Sequence, residues 1–301
     1  MPAVPAGFLN IDKPPGITSF DVVRAIRRAA GVRRVGHAGT LDPLATGVLP
    51  VALGEATRLV EALTDASKRY TAQITFGVET DTDDAAGVAV ATRDIGALDG
   101  PAIAATLALF VGEHPQVPPA YSAIKRGGQP AYRAARRGQP LQLAARPARA
   151  DALRLTAFAA PVATVDIECG KGYYVRALAR DLGRALGVGA HVSALRRTAV
   201  GPFAAERAVP LALAVERLEA GAIDALVHAP DAVLTGWPAV LLGPDELRAA
   251  RQGRTLELEP RPGATIQPEL RARAYGPDGR LAALVQAASS RTWHPYRVFA
   301  D

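Results

Sequence analysis

Between Tyr70 and Val78 the apolar side chains Tyr70, Ala72, Ile74, Phe76 and Val78 recur at every second residue, with Thr71, Gln73 and Thr75 opposite. That period is met by a half-buried β-strand and by no helix. A second alternating stretch, Val165, Ile167 and Cys169, runs into Gly170-Lys171-Gly172. Elsewhere the period switches. Val22, Val23, Ile26 and Ala30 follow helical spacing behind Thr18 or Ser19 as a cap and before Gly31 as a stop. Val175, Leu178, Ala179, Leu182 and Leu186 repeat the pattern. One chain holding both periods predicts a mixed fold of helices and sheet. Past Pro238 short apolar runs are broken by Gly243-Pro244, Arg261-Pro262-Gly263 and Gly276-Pro277-Asp278-Gly279, which predicts a small β-rich domain at the end.

An apolar core must hold this fold. Cys169 is the single cysteine, so no intramolecular disulfide and no zinc site of paired cysteines is expected, and no His-Glu-x-x-His pair replaces one. At 301 residues with 49% hydrophobic side chains, the chain is long enough to bury about 75% of its unfolded surface. No apolar run approaches the length of a membrane span, and Met1 to Gly7 lack the pattern of a signal peptide. The expectation is a soluble, cytoplasmic protein.

The charge is unevenly spread. From Tyr121 to Ala150 the chain carries Lys125, Arg126, Arg133, Arg136, Arg137, Arg146 and Arg149 and no acidic residue. These seven charges exceed the net charge of +6 of the whole chain, so the remainder sums to −1. With Tyr121, Tyr132, Gln129, Gln139 and Gly127-Gly128 interleaved, the segment suits a phosphate backbone; a solvated arginine-rich surface is the plain alternative. Arg176, Arg180 and Arg184 recur every fourth residue and share a helix face, which for Arg180 and Arg184 reads as a solvated stripe. Thr80 to Gly87 reads as an acidic turn, only loosely like a calcium loop.

P-loop, G-x-S-x-G and complete dinucleotide fingerprints are missing. What stands out is the stretch from Gly36 to Pro50, GHAGTLDPLATGVLP, which puts glycines, prolines, His37 and Asp42 into an otherwise apolar run. Such a loop could present the Asp42 carboxylate in a fixed direction, since Pro43 restricts Asp42 to extended backbone. Equally, Asp42 could cap a helix begun by Pro43. His37 has a structural reading beside a catalytic one, and Tyr70 fits core packing.

The stretch from Gly36 to Pro50, followed by Gly54-Glu55-Ala56-Thr57-Arg58, resembles the catalytic segment of TruB-type tRNA pseudouridine-55 synthases. Other segments resemble that family's motifs in its order: Asn10 to Ser19, Lys68-Arg69-Tyr70, Pro118 to Lys125, Cys169 to Arg176 and Leu195 to Phe203. Gly170 and Tyr173 stand where the family usually has Ser and Thr. The resemblance spans roughly Phe8 to Phe203.

The resemblance implies an α+β pseudouridine synthase fold with a mixed, largely antiparallel sheet, a catalytic domain over residues 1–235 with a basic RNA-binding insertion at about 118–150, and a PUA-like domain over 238–301. It implies isomerisation of uridine to pseudouridine in the T-loop of tRNA, by base flipping and an essential aspartate, with no cofactor and no metal. The implied catalytic residues are Asp42, Arg176, which would favour the charged form of Asp42, and Tyr70, which would stack on the base. Implied substrate contacts are His37, Lys13, Tyr174, Lys171, Lys125, Arg136 and Arg137. The implied partner is the tRNA T-arm, bound by a monomer with no membrane and no obligatory protein. A non-catalytic RNA-binding or RNA-folding module and a guide-RNA-dependent synthase are the alternatives.

Overall fold

A computed structural model describes residues 4–223, 225–259 and 266–299. Its centre is a mixed, mostly antiparallel sheet of eleven strands. The main path runs Val209–Pro210, Gly7–Lys13, Thr46–Leu53, Ala190–Val200, Lys68–Phe76, Val162–Cys169, Arg146–Ala159 and Gly112–Gln116. Two pairings are parallel, Gly7–Lys13 with Val209–Pro210 and Thr46–Leu53 with Ala190–Val200. The second joins the chain's two halves at mid-sheet. There Gly47, at φ 98°, lies against the Arg197 backbone so closely that a Cβ would sit 2.2 Å from the Arg197 carbonyl oxygen, and glycine alone meets both demands.

Local signals account for the elements around this junction. Helix Ser19–Ala30 starts at a reciprocal capping box between Thr18 and Asp21, ends at left-handed Gly31, and buries Val22, Val23, Ile26, Ala29 and Ala30. Helix Val175–Ala185 buries Val175, Leu178, Ala179 and Leu182. Both pack into one apolar cluster with Leu9, Ile11, Ala72, Ile74, Val165 and Ile167 of the sheet. The alternating run expected over Tyr70 to Val78 is two strands rather than one. Lys68–Phe76 ends where Gly77 takes φ 90°, and Val78–Thr80 turns away to pair with Ala89–Thr92.

The basic segment leaves the sheet after Gln116. It forms a small hairpin, Lys125–Arg126 with Gln129–Pro130, and a short helix, Ala131–Ala135, and rejoins the sheet edge at Arg146. A second, five-stranded sheet begins at Ala239 and encloses its own core, including Leu256, Ala272, Ala274, Val285 and Trp293. A further cluster bridges the sheets. Leu284 and Phe299 are buried with Phe8, Ala38, Val48 and Leu234, and Arg58 donates to the Val298 carbonyl at 2.6 Å.

Candidate active site

The loop between Gly39 and Ala45 is held from three directions. Ser19, buried at the start of its helix, accepts from Leu41 N–H at 2.8 Å and donates to Leu41 C=O at 3.1 Å. Arg197, 1% exposed, donates to Val48 C=O at 2.7 Å and to Gly39 C=O at 3.0 Å. From below, Gly16 N–H and Lys13 Nζ both donate to Pro43 C=O, at 2.8 and 3.3 Å. No helix follows Pro43: the chain bends and enters strand Thr46–Leu53. The helix-cap reading of Asp42 is therefore replaced by that of a carboxylate on a braced loop.

Across the cleft, Arg176 sits in the first turn of helix Val175–Ala185, its side chain only 6% exposed, and its Nε lies 2.9 Å from Asp42 Oδ2. The other guanidinium nitrogens donate to Thr82 C=O and Tyr121 C=O, both at 3.0 Å. Asp84 Oδ2 lies 3.7 Å from the same Nε. Three acceptors and a nearby carboxylate thus fix one planar donor. Burial pushes the Asp42 carboxyl above its ordinary value; Arg176 pulls it down, Asp84 adds to the rise and Lys13 opposes it. The cation does favour the charged form, as expected, but loss of water outweighs it. About a third of the Asp42 side chain, 35%, still faces the cleft.

These two side chains open into a cavity of about 270 Å³ that is also lined by Tyr70, Lys171, Tyr174, Leu195 and Arg197. Tyr70 sits opposite Arg197 in the register of strand Lys68–Phe76. Tyr70 packs against the apolar core, as the core reading expects, and also lines the cavity. Burial raises its hydroxyl pKa, against the pull of Arg197. Tyr174 is anchored by its backbone: its N–H donates to Gln116 Oε1 at 2.8 Å and its C=O accepts from Gln116 Nε2 at 3.1 Å. Lys171 is exposed at the rim, 2.8 Å from Asp65.

The remaining expected residues lie apart. Lys13 is 0% exposed and donates to the carbonyls of Pro14, Ile17 and Pro43. Its three donors are taken by protein carbonyls, one of them on the Asp42 loop, and burial lowers its pKa to about 8. His37, half-buried at the end of strand Val35–His37, is absent from the cavity lining, and burial lowers its pKa. Lys125, Arg136 and Arg137 are exposed on the insertion, Arg136 stacking over Tyr132 at 5.8 Å. Arg180 corrects the solvated-stripe reading. It is 8% exposed and bonded to Asp83, Asp181 and Val117 C=O, whereas Arg184 is 60% exposed.

Three contributors were not singled out from the sequence: Ser19 and Arg197, which brace the loop, and Asp84, which shares Arg176. For Arg197 a signal existed, since Leu195, Arg197 and Ala199 share the buried face of a period-two strand.

A family model for the N-terminal domain of TruB family pseudouridylate synthases matches residues 27–175, and one for the C-terminal domain of tRNA pseudouridylate synthase B matches residues 176–233. The chain is 44% identical over 287 residues to the tRNA pseudouridine synthase B of Burkholderia pseudomallei, covering 94% of this chain and 93% of that one. It is 38% identical to that of Dehalococcoides mccartyi, covering 97% and 96%. Among solved structures, the archaeal box H/ACA sRNP Nop10-Cbf5 complex contains a chain matching at TM-score 0.72 and 27% identity over 98% of this chain and 86% of that one. A second, an H/ACA RNP bound to a substrate RNA containing 2'-deoxyuridine, matches at 0.74 and 26%, over 98% and 85%.

Proposed function

The chain belongs to the TruB family of pseudouridylate synthases, and from that premise we propose that its cleft isomerises uridine to pseudouridine in tRNA, at position 55 of the T-loop. The reaction breaks the bond from ribose C1′ to N1 and makes one from C1′ to C5. It consumes no water and changes no oxidation state, so no cofactor or metal is required. The observation that carries this reading is Asp42 on its braced loop, 2.9 Å from Arg176 and open to a cavity of about 270 Å³.

A uridine in a folded loop is stacked, and extruding it costs a few kcal/mol. Tyr70 offsets that by stacking on the base, worth about 1–3 kcal/mol. Asp42 then acts as nucleophile, at C6 or C1′, or as the base that takes a sugar proton; each role requires it ionised, and Arg176 opposes the burial that would protonate it. Tyr174 and Lys171 line the cavity and its rim. His37, outside it, fills the space the base leaves in the loop. Lys125, Arg136 and Arg137 hold T-arm phosphates from the exposed insertion.

In this reading residues 1–235 are the catalytic domain and 238–301 a PUA-like RNA-binding domain, acting as a cytoplasmic monomer with no obligatory protein partner. No helix among the described residues is long and apolar enough to cross a membrane. Because the structural neighbours come from H/ACA assemblies, the assay must separate a stand-alone enzyme from a guided one. A T-arm transcript carrying 5-tritiated uridine, incubated without guide RNA or other protein, is expected to release one equivalent of tritium, mapping to the T-loop. Release only after guide RNA is added would support the guided reading, and RNA binding with no release under either condition a non-catalytic module.

A further inference from the structure

Arg180 and Asp83 are charged, largely buried, and outside the cavity lining. Arg180 lies one helical turn beyond Arg176. Its Nη1 donates to Asp83 Oδ2 at 3.1 Å and its Nη2 to Val117 C=O at 2.8 Å, while Nε meets Asp181 Oδ1 at 2.9 Å. Asp83 takes φ 60°, a conformation uncommon outside glycine that aspartate and asparagine adopt more readily than other residues, and here neighbouring contacts hold it. Val192 N–H donates to Asp83 C=O at 3.1 Å, and Asp84 pairs with Val192 as an isolated bridge.

Two of the three partners of Arg180, Asp83 and Val117, adjoin segments that hold Arg176. On one side Thr82 and Asp84, the immediate neighbours of Asp83, supply a carbonyl and a carboxylate to the Arg176 guanidinium. On the other, Val117 leads into the basic insertion, where Tyr121 C=O accepts a hydrogen bond from Arg176 Nη2. A buried ion pair is a poor source of stability compared with apolar residues of the same size. Burial also raises the Asp83 carboxyl pKa, against the pull of Arg180. What the pair supplies is direction.

We propose that Arg180 and Asp83 are a positioning pair for the reaction: clamped between the Thr82–Asp84 turn and the root of the insertion, they fix the direction from which Arg176 meets Asp42. The arrangement ties the seating of the RNA-binding insertion to the geometry of the reacting carboxylate. This rests on the reading of Asp42 and Arg176 as the reacting pair.

Two variants test it. Arg180→Lys keeps the charge and loses the fork that reaches Asp83 and Val117 together, and Asp83→Asn keeps a residue that tolerates positive φ and loses the ion pair. At saturating tRNA each is expected to lower the single-turnover rate about tenfold, while tRNA affinity stays within about twofold. A second measurement needs no activity: the Asp42 carboxyl titrated by carbon NMR in the free protein. The charged groups facing it are Arg176, Asp84 and Lys13, so a loosened Arg176 leaves burial and Asp84 less opposed, and Asp42 should titrate at higher pH in both variants. Loss of thermal stability with unchanged rate and unchanged titration would overturn the proposal, as would weaker tRNA binding alone. Failure of the underlying reading shows separately, as a wild-type protein that releases no tritium whatever the titration does.

Discussion

In the cleft, Arg176 is 6% exposed by its side chain and Arg197 1%, and their donors end on carboxylates and carbonyls of the protein itself. In the insertion, Lys125, Arg133, Arg136 and Arg137 face solvent, and no acidic residue lies between Tyr121 and Ala150. The same residue type does different work in the two places. A dehydrated guanidinium with every direction taken fixes geometry and is little screened by salt. A solvated one contributes to a field that attracts phosphate and weakens as salt rises. Rate should therefore live in the first region and salt-dependent affinity in the second.

The largest expected effect falls on the cleft. Arg176→Met removes the cation that opposes burial of Asp42, and the single-turnover rate should fall roughly a hundredfold or more. The salt dependence of tRNA binding should not change. A rate within a few-fold of wild type would break the assignment of rate to the buried pair. Next comes Tyr70. Tyr70→Leu should lose about tenfold in rate through lost stacking, whereas Tyr70→Phe keeps the ring. A Phe variant as slow as the Leu variant would move the role from the ring to the hydroxyl, which faces Arg197.

For the insertion the expected effect is on slope. Arg136→Glu with Arg137→Glu should flatten the plot of log affinity against log salt by up to about 1.8, at about 0.9 per phosphate contact on a duplex. The rate at saturating RNA should hold. An unchanged slope would take both residues out of the interface and erase the contrast between the regions. The smallest effect concerns stability. Burial raises the folded-state pKa of Asp42 above its ordinary 3.8, so its ionisation in the folded protein is disfavoured, and stability is lost as pH rises from that ordinary value through the raised one. Asp42→Asn should accordingly melt no lower than wild type at neutral pH, with any advantage shrinking as pH falls into the carboxylate range. A variant that melts well below wild type at neutral pH would mean that the Arg176 contact outweighs the burial.

Much of this contrast was legible in the chain. The acid-free basic run is a fact of composition, and the Ser19–Ala30 helix follows from its own cap, stripe and left-handed stop. The meeting of Asp42, Tyr70, Tyr174 and Arg176 in one cavity was reached through motif resemblance alone, because residues so far apart in sequence carry no local sign of their contact. Burial of charge was the hardest property to see. The burial of Lys13 and Arg180 has no local sign, because nothing near them in sequence announces the carbonyls of Pro43 or Val117 that converge on them in space. Arg197 was missed although its strand period was visible, since an arginine at an inward position is read as an exception until its acceptors are known. Gly77 likewise interrupts an alternation that continues on both sides of it, and its positive φ and the approach of Ile95 and Arg93 show only in the fold.

The central claim is that the braced, ionised carboxylate of Asp42 does the chemistry while RNA recognition lies elsewhere. The most direct measurement compares wild type with Asp42→Asn for single-turnover tritium release from a full-length tRNA transcript and for affinity toward the same tRNA, at one salt concentration and without guide RNA. The account predicts that the variant binds tRNA as wild type does and releases no tritium above background. Release at a rate comparable to wild type would contradict it, because an amide of the same shape can neither attack carbon nor accept the proton.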